Sequence, residues 1–163
     1  MDKPVLKNRL VISKGNFYMT KGEIAKKYFE SGMNCAQAVI SAFCEDFGFD
    51  AKTAMMISAP FGGGMGRLRE VCGTVSGMFM VLGLFEGDTN KTALYKDVQQ
   101  LADKFKEDNG SIICRELLGL RIKGKDNPTP EVRTDTYYKA RPCSELCKYA
   151  GDLVEEFLES AIV

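Results

Sequence analysis

The chain has 163 residues, the size of one domain, and a domain of that length buries roughly 70% of the surface its unfolded form exposes. Its 22 basic and 22 acidic residues cancel to a formal net charge of zero, so no basic field gathers nucleic acid, which is not an expected partner. Histidine is absent, which removes Ser-His and Cys-His nucleophilic pairs, His-ligated zinc hydrolase sites and a His-ligated haem.

Residues 1–19 show no clear period and are expected to form an N-terminal tail or short extended segment, with "RLVIS" as an edge-strand candidate ahead of a helical domain over 20–163. This segment is charged throughout and lacks the apolar core of a secretory signal. The most apolar run, 71–85, contains Thr74 and Ser76 and falls short of the ~20 residues of a membrane span. A soluble cytoplasmic protein with no membrane insertion is the expectation.

"TKGEIAKKYFESG" has helical spacing, with Ile24, Ala25, Tyr28 and Phe29 on one face and Gly32 as a stop. "NCAQAVISAFCEDFG" follows, where Asn34 and Gln37 form the amide variant of a capping box. After a short helix in "DAKTAMMISAP", Pro60 and the glycines of "FGGGMGRLREVCG" make a loop. That loop leads into a helix, residues ~70–86, that is apolar nearly all round and so belongs at the centre of a bundle.

"NKTALYKDVQQLADKFKEDNG" is amphipathic, with Leu94, Val98, Leu101 and Phe105 on one face and Gly110 as terminator. "SIICRELLGL" gives a short helix, with Ser111 as its cap candidate. "RIKGKDNPTPEVRTD" gives a polar, proline-bearing loop of a length that is usually functional or disordered. In "RPCSELCKYAGDLVEEFLES", Pro142 suits the first helical position and Leu146, Tyr149, Ala150, Leu153 and Phe157 form a stripe. The sum is an all-α, single-domain bundle of about six or seven helices around the central apolar helix.

Six cysteines are too few for a disulfide scaffold and lack any C-x-x-C spacing. Cys35, Cys72, Cys114 and Cys143 each fall in or close to the first turn of a predicted helix, where free N–H donors and the helix dipole favour thiolate. Cys44 lies nine residues beyond Cys35, half a turn out of phase on a regular helix, and is expected to be a core hydrophobe. Cys147, at i+4 from Cys143, shares its face and either joins a site or lines the core below it. Gly62, Gly63, Gly64 and Gly66 permit positive φ and close approach to a bound group, and no phosphate-binding motif accompanies them. Gly73 and Gly77 share a helix face, a groove that brings another segment's cysteine within reach of Cys72.

"GMNCAQAV", "FGGGMGRLREVCGTVSG", "CRELLG" and "RPCSEL" together resemble the redox-active family named for its C, GCAxxG, C, C pattern, over roughly residues 20–160. The literal string GCAxxG is replaced here by "VCGTVSG". The resemblance implies that Cys35, Cys72, Cys114 and Cys143 are the family cysteines, with Cys44 and Cys147 as extras. A similar domain in split-Soret cytochromes implies an iron–sulfur centre by analogy, while the lack of C-x-x-C-H excludes covalent haem.

The expected function is cysteine-based redox chemistry at one site formed by Cys35, Cys72, Cys114 and Cys143. Either they hold an iron–sulfur cluster for electron transfer, or two of them cycle between dithiol and disulfide. The alternative is a non-enzymatic protein with a thiolate-ligated zinc, Cys147 being a reserve ligand. Gly62, Gly63, Gly64 and Gly73 are the expected cofactor-side glycines. A redox partner protein is expected, and whether the chain is an oxidoreductase, an electron carrier or a homo-oligomer stays open.

Overall fold

The computed structural model describes residues 19–87 and 90–162. The segment expected as a tail over 1–19, including "RLVIS", lies outside them apart from Met19. The described residues form helices and a single isolated antiparallel bridge, Val71 with Ile113. None of these helices is long and apolar enough to cross a membrane.

Helix α1, Lys21–Glu30, starts at a full capping box: the Thr20 hydroxyl accepts from Glu23 N–H and the Glu23 carboxylate accepts from Thr20 N–H. The helices α2, Cys35–Ser41, and α3, Cys44–Phe47, replace the single helix expected over 34–48. The break falls at Phe43, whose N–H bonds to Ile40 O, three residues back. Asp50 caps α4, Ala51–Ser58, and a tight 3₁₀ turn at Ala59–Phe61 leads into α5, Gly62–Met65.

The central helix is α6, Gly73–Glu86, which buries Val75, Met78, Val81, Leu82 and Phe85. The amphipathic α7, Lys91–Asn109, lays Leu101 and Phe105 into the core and ends at Gly110 in the left-handed region. Short α8, Cys114–Leu117, and α9, Asp135–Ala140, precede the long α10, Cys143–Ile162. Pro142 stands just before α10 rather than inside it, its carbonyl accepting from Leu146 N–H. Among the described residues six helices have seven residues or more, matching the expected bundle, and the rest are short helices of three to six residues.

One hydrophobic core runs through Phe29, Ile40, Phe43, Met78, Leu82, Phe105, Val154 and Leu158. Helices α1 and α10 cross at Gly22 and Gly151, where a Cβ on Gly151 would lie 2.6 Å from Gly22 Cα. This crossing sets the start of α10 beside the end of α1.

Candidate functional site

Asn34 starts the site. Its side chain accepts from Gln37 N–H and the Gln37 amide oxygen accepts from Asn34 N–H, both at 3.0 Å, which fixes Cys35 as the first residue of α2. Helix α2 lies in the groove offered by the bare face of α6. A Cβ built on Gly73 would sit 3.1 Å from Cys35 Cβ, and one on Gly77 would sit 2.8 Å from Val39 Cβ. The two glycines therefore bring Cys35 up to the start of α6, where Cys72 is the residue just before the first turn.

The second approach is made by backbone. Cys72 N–H bonds to Ile112 O at 2.8 Å and Cys114 N–H to Glu70 O at 2.6 Å, either side of the Val71–Ile113 bridge. This pairing holds Cys114 at the first position of α8, next to the glycine loop. The cap of α8 is Ile113 rather than Ser111, whose hydroxyl accepts instead from Ile113 N–H. Cys143 is the first residue of α10. Three of the four cysteines thus occupy the first position of a helix and the fourth occupies a cap.

Cys35, Cys72, Cys114 and Cys143 line one cavity of about 250 Å³, together with Gly62, Gly63 and four arginines, Arg67, Arg69, Arg133 and Arg141. The loop between α8 and α9 closes one side of it through Pro128, Pro130 and Glu131. Asp126 of this loop ties it to the glycine segment, accepting from Arg67 Nη2 at 2.8 Å and Arg69 Nη2 at 2.7 Å. Arg133 crosses to the end of α1, donating from Nη1 to Phe29 O at 2.7 Å and Met33 O at 2.9 Å, with its guanidinium 4.4 Å from the Phe29 ring centroid.

The glycine segment is folded back on itself. Gly63 and Gly64 have φ of +66° and +70°, and Met65, Arg67 and Arg69 also lie in the left-handed region. L-residues there are strained by roughly 1–2 kcal/mol each. The fold recovers this by placing Arg69, buried, between Asp126 and the Cys114 sulfur, 3.7 Å from Nη1.

The cysteines differ in acidity, and each difference has a cause. Interaction with the Cys143 thiol is the largest influence lowering Cys35 to about 7, against the opposing effect of burial. The Gly63 N–H, the N–H of Cys35 itself and the charge of Arg133 add to the lowering. The same interaction, with burial, pushes Cys143 up. Burial and the neighbouring Cys35 push Cys72 up to about 12, while the Thr74 hydroxyl 3.1 Å away works in the other direction. Burial also raises Cys114, partly offset by Arg69. Of these cysteines Cys35 is therefore the one that ionises most readily, and Cys143 is held as a thiol.

The remaining sequence candidates separate clearly. Cys44 is buried away from the cavity with its thiol donating to Ile40 O at 3.4 Å, and it starts α3 instead of continuing α2. Cys147 is fully buried in the core under Cys143 and does not line the cavity. Gly62 and Gly63 line the cavity, whereas Gly64 backs onto Cys114 and Gly73 onto Cys35, acting on the sulfurs from behind. The sequence offered no pattern that singled out Arg133, Arg141, Thr74 or Asp126. For Arg67 and Arg69 the available signal was two cations alternating just beyond a glycine run, next to a cysteine.

Among the described residues no group of three or more cysteines, aspartates or glutamates is placed to hold a metal ion. Cys72 contacts the Thr74 hydroxyl and Cys114 the Arg69 guanidinium, so two of the four sulfurs that share the cavity are held by other partners. As arranged, they do not fit a four-thiolate iron–sulfur or zinc centre.

No curated protein and no solved structure matches the chain. One family model does, described as "Putative redox-active protein (C_GCAxxG_C_C)", over residues 33–157, a span that contains every cysteine of the cavity. The chain belongs to the C_GCAxxG_C_C family of redox-active proteins.

Proposed function

We propose that the protein is a thiol–disulfide oxidoreductase in which Cys35 attacks and Cys143 resolves. The observation that carries this reading is that Cys35 and Cys143, each the first residue of its helix, line the same cavity, where the Cys143 thiol is the main influence lowering the pKa of Cys35. A disulfide between them requires the two sulfurs of this shared cavity to meet at ~2.05 Å.

The Cys35 thiolate attacks one sulfur of a disulfide R–S–S–R′. A Cys35–S–R bond forms, the substrate S–S bond breaks, and R′S⁻ leaves and takes a proton from solvent. The Cys143 sulfur then attacks Cys35 Sγ, giving the Cys35–Cys143 disulfide and releasing RS⁻, which takes the proton Cys143 gives up. Two electrons have passed from the protein dithiol to the substrate. A dithiol of a redox partner protein returns them by the reverse exchange. Cys72 and Cys114, raised by burial, stand as neutral thiols on the cavity wall.

Trapping tests the assignment of roles. Cys143→Ala exposed to bis(2-hydroxyethyl) disulfide should accumulate a mixed disulfide on Cys35, which the unaltered protein resolves. A mixed disulfide on any other cysteine would reject Cys35 as the attacking group.

A metal centre on the same cysteines is the second reading, favoured by the four family positions sharing one cavity. It requires the sulfurs to leave their present partners, and the iron, sulfide and zinc content of protein purified without oxygen separates the two readings.

A further inference from the structure

We infer that the disulfide handled at this site is a small anionic one carrying carboxylate groups, recognised by the arginines at the cavity rather than by a protein surface. This inference rests on the thiol–disulfide reading above and adds the substrate class to it.

Charge is the first ground. Four guanidinium groups line the cavity, and the carboxylates that face them are Glu131 and Asp126. Asp126 is shared by Arg67 and Arg69, and Glu131 by Arg141 at 2.5 Å and Arg67 at 3.8 Å. Arg133 is held by backbone carbonyls and has no carboxylate partner among the described residues. Two positive charges remain, and an ionised Cys35 offsets one of them. The other is left for a ligand.

Donor geometry is the second. The hydrogen bonds of Arg133 run from Nη1 alone and those of Arg141 from Nη2 alone, among the described residues. Both guanidinium groups lie over aromatic rings, Arg133 over Phe29 and Arg141 at 4.9 Å from the Tyr137 ring centroid, and these contacts with their hydrogen bonds restrict how the remaining N–H groups can turn. A planar fork of N–H donors matches a carboxylate better than a spherical anion. The third ground is size, since about 250 Å³ lies below the usual range of ligand pockets and suits one arm of a small molecule.

Three disulfides of nearly the same shape test this: dianionic 3,3′-dithiodipropionate, neutral bis(2-hydroxyethyl) disulfide and dicationic cystamine. The reduced protein is reacted with each at low ionic strength, and each rate is divided by that of free 2-mercaptoethanol with the same compound. We expect the anionic disulfide to be favoured over the cationic one tenfold or more, the range of electrostatic steering into a charged cleft, with the ratio shrinking as salt is added. Arg141→Gln should narrow the ratio and Glu131→Gln should widen it, so a folding defect in either variant leaves the other to decide. Equal or reversed preferences, with Cys35 reacting, would overturn the inference and leave the redox reading standing. Failure of Cys35 to react with all three would remove the redox reading, and this inference with it.

Discussion

Gly77 of α6 faces Val39 of α2 with no room for a methyl between them: a Cβ on Gly77 would lie 2.8 Å from Val39 Cβ and 3.1 Å from Ala36 O. The contact is one turn below the place where Gly73 meets Cys35, so the spacing of the two helices sets the position of the attacking sulfur. Gly77→Ala should push α2 outward and destabilise the protein by about 1–3 kcal/mol, with up to ~1 kcal/mol returned by better helix propensity. Disulfide formation at Cys35 should fall further than thermal stability does. A folded variant with unaltered Cys35 chemistry would reduce Gly77 to a packing role.

Reactivity should titrate with Cys35. Its acidity lies near 7 in the fold, against 9.0 for an unperturbed thiol, chiefly through its interaction with the Cys143 thiol. Alkylation of Cys35 by iodoacetamide, followed by mass spectrometry, should therefore rise through a midpoint near 7 and fall away below it. In Cys143→Ala that interaction is gone and the midpoint should move up towards the unperturbed value. A midpoint that stays where it was would mean that Gly63 and Arg133 set the acidity without Cys143.

Much of this site could be read from the residues. The Asn34–Gln37 cap, the paired glycines of α6 and the placing of four cysteines at helix starts are all local patterns, and the structure shows each of them. Other features are not local. Helix α9 is six residues with no apolar period, and its tyrosines take their place by tertiary contacts, Tyr138 packing on Phe29 and Tyr137 on Tyr138. The partners of Arg69 and Arg133 depend on how the 118–134 loop folds over the glycine segment. The helix-phase reason for setting Cys44 aside assumed one regular helix, yet the chain breaks at Phe43. Cys44 stays out of the cavity because α3 turns it into the core.

Cys44→Ala should accordingly cost only packing, on the order of 1 kcal/mol for a small buried side chain, and leave reaction at Cys35 unchanged. Denaturant unfolding and iodoacetamide kinetics on the same preparation measure both. Loss of Cys35 reactivity in this variant would place Cys44 inside the redox chemistry.

Arg69 should matter to both stability and loop order. It is buried, donates to Asp126 through Nε and Nη2, and reaches the Cys114 sulfur through Nη1. Arg69→Met removes these charge-assisted bonds and should cost about 1–3 kcal/mol. Amide hydrogen exchange should accelerate in the 118–134 loop, whose anchor Asp126 then keeps Arg67 alone as an ion-pair partner. Unchanged exchange there would show that the loop is held by its other contacts.

The pairing of Cys35 with Cys143 is tested most directly by mapping the disulfide that forms when protein purified without oxygen is treated with one equivalent of a small disulfide. Peptide mass spectrometry under non-reducing conditions should find Cys35 joined to Cys143, with Cys44 and Cys147 still alkylatable after unfolding. A bond between any other two cysteines, or a stoichiometric iron–sulfur or zinc centre holding all four cavity sulfurs in the untreated protein, would contradict it.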